Sequence, residues 1–358
     1  MSRSSGRLRE TIGSDTYFRV TGDRETMPYA SGSELSSAYA SARKGGYGFV
    51  ASNVTETNIL TGLVEGAERA RSDLVVQVKR DSAAFAGRGD PQVGLEILGL
   101  TARKLGEAAD VGVFLNVDHV PAEDREFLDA CVESGIPSSV MVDASHEPFE
   151  ENVERTRRAV ELVDAHDAEM LVEAELGLIK GMEGGVETTE AYYTDPEEAV
   201  EFVDRTGCDL LAVSIGTEHG VSKGRDLELR PDIARAVGDA LADHGLDTPL
   251  VVHGSSGLSD EQVRDLLGTG VCKLNKNTRY QYEFARTACD FYRENESAIV
   301  PPAGVDDDRQ GFFADTDWSP DKATFTPTRV CGDIRERIAD VMVEIAELSG
   351  SAGESQFA

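Results

Sequence analysis

Short runs of apolar and β-branched residues recur along the chain, and each is bounded by glycine or polar residues. Runs of this length without polar alternation are typical of strands that are buried on both faces, as in a parallel sheet. The pattern predicts eight strands, at residues 47–52, 74–78, 111–117, 139–143, 170–175, 210–215, 250–253 and 271–275.

Apolar positions at helical spacing fill the intervals between these strands. Two of the helical segments carry clear start signals, because Ser259 and Asp195 are capping residues that precede acidic residues, and Pro196 fits the first helical position. Gly268 and Gly270 mark the end of the last segment. The predicted helices span residues 58–71, 91–108, 122–133, 149–166, 195–205, 231–243 and 259–267.

Strands and helices that alternate over about 230 residues predict an α/β fold, the (β/α)8 TIM barrel. A doubly wound open sheet is the alternative, but no Gly-x-Gly-x-x-Gly turn follows the first strand. We expect residues 1–44 to form an N-terminal lead-in, 45–297 the catalytic barrel, and 298–358 a C-terminal extension or arm. Within that extension we expect a helix at 332–348, followed by disorder in the last ten residues.

Acidic residues dominate the charge, with 66 Asp and Glu against 35 Lys and Arg, for a net charge of -31. Such a field repels nucleic acid, so we expect no DNA or RNA partner. Its spread along the whole chain suits a cytosol at very high salt, although an ordinary acidic protein is the simpler alternative. The five cysteines include no Cys-x-x-Cys pair, and no apolar stretch resembles a membrane span or a signal peptide. We therefore expect a soluble, cytoplasmic protein.

Side chains at the carboxyl ends of barrel strands carry the chemistry of this fold. His119, His219 and His253 each follow one of the predicted strands, and three imidazoles at one rim would make a Zn²⁺ site with an open position. His146 is a weaker candidate because it begins the next helix. Polar residues at the other strand ends are Asn53, Lys79, Asp81, Asp118, Asp143, Ser145, Glu173, Glu175, Asn275, Asn277 and Thr278.

Two neighbouring segments are typical of phosphate binding. The turn at 253–257 reads His-Gly-Ser-Ser-Gly, and residues 275–278 end the next strand before a helix. Glycine lets backbone N–H groups approach a phosphate closely, and the last two loops of a barrel are where phosphate usually binds. A glycine-rich loop at 175–185 also carries carboxylates, and its composition suits either a lid or a solvated acidic loop.

Taken together, these segments resemble the class II, metal-dependent fructose-bisphosphate aldolases, in a form typical of halophilic archaea. The resemblance covers about residues 47–291. It is carried by the pair Asp118-His119, by the segment 139–152, and by Glu-Ala-Glu-Leu-Gly at 173–177.

The resemblance implies that His119, His219 and His253 bind Zn²⁺ or another divalent transition metal, with Glu175 as a carboxylate that can approach it. Asp143 is a candidate for a second metal position. A monovalent cation, K⁺ or Na⁺, would bind near the phosphate loops. The implied substrate is fructose 1,6-bisphosphate, cleaved reversibly to dihydroxyacetone phosphate and glyceraldehyde 3-phosphate in glycolysis and gluconeogenesis.

In this resemblance Asp118 exchanges a proton with the C4 oxygen, and Glu183 removes a proton from dihydroxyacetone phosphate. We also expect a homodimer or a higher homo-oligomer. The expected substrate-binding and phosphate-binding residues are Asn53, Lys79, Gly220, Gly254, Ser255, Ser256, Asn275, Asn277 and Thr278.

Five positions differ from the family pattern or extend it. Asn116 replaces a histidine that is not a ligand, and Lys79 stands where the family has a phosphate-binding serine. Lys180 and Gly184 alter the loop that holds Glu183. The C-terminal segment resembles the arm of the dimeric subclass, which makes Arg329 a candidate for the second phosphate.

Three alternatives remain open from the sequence. A lysine Schiff base at Lys79 or Lys273 would replace the metal in the same barrel. A non-catalytic sugar-phosphate sensor would keep the fold without turnover. Tagatose bisphosphate differs from fructose bisphosphate at C4 alone, so the epimer is not decided.

Overall fold

The computed structural model describes residues 31–166, 168–183, 186–188, 192–220 and 227–358, and for residues 180–183, 186–188 and 219 it describes the backbone. These residues form eleven strands. They are β1 (Phe49–Asn53), β2 (Leu74–Lys79), β3 (Val113–Pro121), β4 (Ser139–Asp143), β5 (Leu171–Leu176), β6 (Lys180–Glu183), β7 (Val186–Thr188), β8 (Leu210–Val213), β9 (Glu218–His219), β10 (Leu250–Val252) and β11 (Val271–Lys276).

Eight of the strands close into a parallel barrel, in the order β1, β11, β10, β8, β5, β4, β3 and β2. Strand β1 pairs with β11 on one side and β2 on the other, so the sheet has no free edge. The (β/α)8 prediction is confirmed, and the open doubly wound sheet is excluded.

Helices separate the barrel strands, and the seven predicted ones are present with ends displaced by at most three residues. The structure adds a short helix at Arg80–Ala86, which was not predicted. His166 and His244 are the C-cap residues of the predicted helices at 149–166 and 231–243. The helices in the described residues are α1 (Gly32–Gly45), α2 (Thr57–Ala70), α3 (Arg80–Ala86), α4 (Pro91–Gly106), α5 (Arg125–Ser134), α6 (Phe149–Ala165), α7 (Pro196–Thr206), α8 (Pro231–Asp243), α9 (Asp260–Leu267), α10 (Thr278–Glu294), α11 (Lys322–Phe325) and α12 (Pro327–Ser349).

The barrel interior changes from apolar to charged along the strands. Along the paired strands β2 and β3, every second pair faces inward, and these pairs are Val75 and Phe114, then Gln77 and Asn116, then Lys79 and Asp118. The three pairs therefore lie at successive heights inside the barrel. The apolar layers fill the N-terminal half, and polar side chains collect at the carboxyl ends.

Helix α1 covers the N-terminal mouth of the barrel. Its Tyr39 is 1% exposed and packs edge to face on Phe49 of β1, with ring centroids 6.2 Å apart. A capping box at Ser31 and Glu34 begins the helix, and Gly46 ends it with a φ of 71°. The segment predicted as a lead-in therefore contributes directly to the barrel core.

The C-terminal tail closes the same mouth, so the prediction of disorder in the last ten residues is wrong. Phe357 packs edge to face on the buried Phe114, at 6.2 Å between centroids. Buried Asp73 accepts hydrogen bonds from the Ser355 hydroxyl at 2.6 Å and the Gln356 amide at 3.1 Å. Polar composition suggested disorder, but these anchors to residues distant in sequence were invisible in the local pattern.

Helix α12 packs against α2 and belongs to the outer ring. Gly62 and Gly66 permit this close contact, because a Cβ on either glycine would lie 2.7 Å from the Arg335 oxygen or 2.5 Å from the Ala339 oxygen. The domain boundaries at 44/45 and 297/298 stay predictions. In the part of the chain that the structure describes, no helix combines the length and the hydropathy that a membrane crossing requires.

A small three-stranded sheet lies apart from the barrel sheet, in the order β7, β6, β9. Its register pairs Lys180 with Glu218 and Gly181 with His219. The loop that follows β5 is therefore paired with the loop that follows β8.

The packing of the C-terminal tail predicts that Phe357→Ala lowers the free energy of unfolding by about 1–3 kcal/mol, since it removes a half-buried aromatic contact. Phe312→Ala is the matched control, because Phe312 is 76% exposed. Urea unfolding followed by fluorescence measures both. Equal unfolding midpoints for the two variants would show that the tail does not stabilise the barrel.

Candidate metal centre and phosphate pocket

An irregularity in β3 brings two consecutive residues to the same cavity. The register of β3 against β4 shifts between Val117 and Val120, and His119 has a φ of 48°. Consecutive residues of a regular strand face opposite sides, whereas a bulge re-aims one of them. Asp118 and His119 both line the cavity as a result. A left-handed backbone at a histidine costs free energy and is typical of functional sites.

Two of the three predicted histidine ligands meet. Nε2 of His119 lies 3.0 Å from Nδ1 of His253, which directly follows β10. Nitrogens bound at ~2.1 Å to one tetrahedral zinc lie roughly 3.4 Å apart, so the pair is within about half an ångström of the separation that a shared metal requires. On its other side, Nδ1 of His119 lies 3.0 Å from Oδ2 of Asp143, which orients the ring.

The third predicted ligand, His219, is described by its backbone alone. It lies in β9, and the following residue, Gly220, lines the same cavity as His119 and His253. Gly254 has a φ of 66°, and a Cβ there would lie 2.7 Å from the Glu218 oxygen. Glycine at this position therefore allows the β9 backbone to approach the turn that follows His253.

A buried ion pair fixes the orientation of the His253 ring from its Nε2 side, away from His119. Lys273 Nζ lies 2.6 Å from Oε2 of Glu173, and Oε1 of the same carboxylate lies 3.0 Å from Nε2 of His253. Both Lys273 and Glu173 are 0% exposed. A carboxylate that accepts from Nε2–H leaves the lone pair of Nδ1 directed at His119, as metal binding requires.

The protonation states suit this arrangement. Burial lowers the pKa of His253 to about 4, so its ring is neutral near pH 7. Burial alone would raise the pKa of Glu173, but the Lys273 ammonium and the bond to His253 outweigh it, and the pKa is lowered. Lys273 does not line the cavity, which argues against a Schiff base at this lysine.

Asp118 is enclosed by donors. The side-chain amides of Asn53, Gln77 and Asn275 each lie 3.1 Å from one of its oxygens, and Lys79 Nζ lies 3.8 Å from Oδ2. Asp118 is 1% exposed. The carboxylate is thus held in one orientation at the cavity wall.

Charge keeps Asp118 ionised. Burial would raise its pKa, but the electrostatic interactions with His119, with the ammonium groups of Lys79 and Lys273, and with the His253 ring outweigh burial and hold the pKa well below the usual range. At neutral pH Asp118 is therefore in the deprotonated form that a proton acceptor must have.

Glu175 differs from the neighbouring acids of the site because its pKa is raised. Burial, then the charge of Asp143, raises its pKa well above the usual value. Its Oε2 lies 3.6 Å from Nδ1 of His253. Oxygens of Glu175 and Asp143 also group with a nitrogen of His119 within 4.8 Å. A cation at that position would compensate two adjacent carboxylates, so these donors fit a divalent metal.

A cavity of about 250 Å³ opens beside the histidine pair. It brings together most of the residues that the sequence analysis selected, from six different barrel strands and their loops. The lining residues are Asn53, Lys79, Asp118, His119, Glu218, Gly220, His253, Gly254, Ser256, Asn275, Lys276, Asn277, Thr278 and Gln281.

Some predicted residues do not reach this cavity. Ser255 is fully buried, and its hydroxyl donates to the Asn275 carbonyl at 2.7 Å, so it joins two loops. Arg329 is exposed in the first turn of α12 and does not line the cavity. The side chain of Glu183 lies outside the described residues, while its backbone belongs to β6, beside the strand of His219.

Sequence reasoning missed four polar residues of the site, namely Gln77, Glu218, Lys276 and Gln281. Gln77 lies two positions before Lys79 on β2 and therefore shares its inward face. Lys276 lies inside a motif from which its neighbours Asn275 and Asn277 were selected. Gln281 begins the second turn of α10 and lines the cavity. Strand periodicity could have identified Gln77, whereas Gln281 required the three-dimensional fold.

The ion pair behind His253 predicts that Lys273→Met weakens Zn²⁺ binding by about 10–100-fold, the usual effect of losing an outer-shell partner. Lys44→Met, at an exposed lysine, is the matched control. Competition with a chromophoric chelator measures the affinity. In Lys273→Met the Glu173 carboxylate is left buried without its cation, so the single variant can fold poorly. The double variant Lys273→Met/Glu173→Gln also removes that carboxylate charge. Wild-type affinity in both variants would disprove the positioning role.

Comparisons with known proteins agree with this geometry. The family model for class-II fructose-bisphosphate aldolases matches residues 33–354. The D-tagatose-1,6-bisphosphate aldolase subunit GatY of Klebsiella oxytoca is 36% identical over 262 residues, which cover 73% of this chain and 86% of that protein.

A second relative, the fructose-bisphosphate aldolase of Geobacillus stearothermophilus, is 32% identical over 73% of this chain and 85% of that protein. Among solved structures, the YdjI aldolase of Escherichia coli K12 superposes with a TM-score of 0.66 at 26% identity, over 90% of this chain and 98% of that one.

Proposed function

The chain belongs to the class-II fructose-bisphosphate aldolase family, and from that premise we propose that it catalyses the reversible aldol cleavage of fructose 1,6-bisphosphate. The products are dihydroxyacetone phosphate and glyceraldehyde 3-phosphate. One observation supports this most strongly: an ionised, enclosed carboxylate, Asp118, lies beside two facing imidazoles, those of His119 and His253. That combination supplies a proton acceptor and a metal position in a single cavity.

The metal position would use His119, His253 and His219, with Glu175 as an additional carboxylate. When bound, a divalent ion supplies Lewis-acid stabilisation of negative charge that develops on a substrate oxygen. Zn²⁺ is our proposal for this ion because imidazole ligands suit it, although other divalent transition metals share that preference.

Asp118 accepts the proton of the C4 hydroxyl as the bond between C3 and C4 breaks. Its fixed orientation supports this role, because the three amides that hold it leave the carboxylate at the cavity wall. In the reverse direction the protonated acid returns the proton to the C4 oxygen.

Glu183 is our candidate for the second proton transfer, at the carbon of dihydroxyacetone phosphate. Its strand β6 pairs with β9, which carries His219. A loop attached at the rim of the cavity suits a base that reaches the substrate after binding.

The substrate phosphate would bind at the ends of β10 and β11, where Gly254, Ser256, Asn277 and Thr278 line the cavity. Thr278 also donates a hydrogen bond to the Gly220 carbonyl at 3.3 Å, which joins a third loop to this region. Lys79, at the end of β2, supplies a cation on the other side of β1 from the β10 and β11 loops. We also propose that a K⁺ or Na⁺ ion binds near these loops.

The cellular setting of the proposal is glycolysis and gluconeogenesis in the cytoplasm of a salt-loving organism, with a homodimer or a higher oligomer as the working form. The net charge of -31 supports the high-salt setting, because dense acidic surfaces repel one another less when screened. Arg329, exposed at the start of α12, remains the candidate for binding the second phosphate.

Tagatose 1,6-bisphosphate is the second candidate substrate. The relative with 36% identity is named for that sugar, whereas the relative with 32% identity is named for fructose bisphosphate. The two sugars differ only at C4, next to Asp118. Cleavage assays on both sugars in molar KCl decide between them, and the proposal requires the higher kcat/KM for fructose bisphosphate.

The role of Asp118 predicts that Asp118→Asn lowers kcat by about 10²–10⁴-fold, because the amide keeps the shape but cannot accept the proton. Metal content should stay at the wild-type level. Coupled-enzyme assay of triose phosphate formation and metal analysis measure the two quantities. Retention of wild-type kcat would remove Asp118 from the proton transfer.

The role of Glu183 predicts a different defect. Glu183→Ala should still bind metal and substrate but lose exchange of the dihydroxyacetone phosphate proton with solvent, which proton NMR in D₂O detects. Glu187→Ala, in the neighbouring strand β7, is the control. Unchanged exchange in Glu183→Ala would assign the base elsewhere.

A further inference from the structure

Lys276 is a second buried cation of the cavity, and the roles proposed above do not use it. It ends β11, it is 8% exposed, and it lines the cavity between Asn275 and Asn277. Burying an ammonium group costs free energy unless nearby groups compensate its charge. A buried lysine at such a position is therefore expected either to have a ligand that compensates its charge or to have a structural role.

The hydrogen bonds of Lys276 connect it to the phosphate turn. Its Nζ donates to the Ser255 carbonyl at 3.1 Å. Two further bonds join the same segments: the Ser255 hydroxyl donates to the Asn275 carbonyl at 2.7 Å, and the Asn277 amide donates to the Ser256 hydroxyl at 3.3 Å. The turn after β10 and the end of β11 thus form one cross-linked unit.

The Ser255 carbonyl accepts from Lys276 and also from the Leu258 amide at 3.3 Å, and these two bonds together fix the direction of an adjacent donor. In a trans peptide the carbonyl and the following N–H point to opposite sides. Holding the Ser255 oxygen at Lys276 therefore directs the N–H of Ser256, a residue that lines the cavity, away from the ammonium group.

The charge of Lys276 is only partly compensated within the protein. Among the residues that the structure describes, no carboxylate is ion-paired with it. Burial and then the positive charge of Arg279 lower its pKa to about 8, against a smaller opposing effect of Asp260. A phosphate dianion at the turn would compensate this charge.

We propose that Lys276 is a positioning residue for the substrate phosphate: it orients the turn through the Ser255 carbonyl and supplies a resident positive charge behind it. This inference rests on the proposed function, since it assigns the phosphate to the β10 and β11 loops. Lys276 raises the affinity for the phosphate group without touching the bonds that react.

Inorganic phosphate is the probe, titrated into metal-loaded protein by calorimetry at a fixed KCl concentration. Lys276→Met keeps most of the side-chain stem and removes the charge. Its phosphate Kd should rise about tenfold, the effect of losing a charged hydrogen-bonding group. The KM for the bisphosphate should rise in parallel, while kcat changes little. Lys276→Arg keeps the charge and should keep the affinity.

The pH profile separates this role from a purely structural one. Phosphate affinity of the wild type should fall as the pH rises through about 8, where Lys276 loses its charge. In Lys276→Arg the affinity should not fall, because an arginine keeps its charge there. This comparison stands even if Lys276→Met folds poorly.

Wild-type phosphate affinity in Lys276→Met, or identical pH profiles in the wild type and Lys276→Arg, would overturn the inference. Neither measurement needs turnover. A protein that binds phosphate through Lys276 but cleaves no ketose bisphosphate would refute the proposed function alone. A protein that cleaves the sugar with no effect of Lys276 would refute this inference alone.

Discussion

The site depends on one departure from regular strand geometry. In a regular strand Asp118 and His119 would face opposite sides of the sheet, and one of them would lie among the outer helices. The bulge in β3 and the left-handed backbone of His119 turn both residues to the cavity. The proposed proton acceptor and a proposed metal ligand therefore come from adjacent positions, and their separation is set mainly by the backbone.

The second constraint is electrostatic. Asp118, His253, Glu173 and Lys273 are among the ionisable groups that are almost fully buried in the half of the barrel that holds the cavity. Each is stable there because a neighbour of opposite charge or a hydrogen-bond donor offsets its desolvation. The Glu173 carboxylate has two such partners, which links the barrel core to the imidazole that faces the cavity. A closed barrel is well suited to this arrangement, since its interior is rigid and excludes water.

Much of this arrangement could be predicted from the sequence. Apolar runs at regular spacing identified the barrel strands, and the strand-end rule then selected most of the cavity residues. The polar interior was harder to predict, because Gln77, Glu173 and Lys273 interrupt the strands and reveal their partners only after the barrel closes. The order of the C-terminal tail was mispredicted for the same reason: its anchors, Asp73 and Phe114, are distant in sequence. Local composition indicates the structural preference of a segment in isolation, whereas the partners of these residues are set by contacts between distant parts of the chain.

The central claim is that His119 and His253 share one divalent ion. Titrating chelator-stripped protein with Co²⁺, and following the visible absorption of the bound ion, tests it most directly. The account predicts that the bands of a low-coordinate, nitrogen-ligated ion saturate at about one equivalent per chain, and that His253→Ala abolishes them. Bands that persist unchanged in His253→Ala, or full aldol cleavage by the stripped protein, would contradict the account.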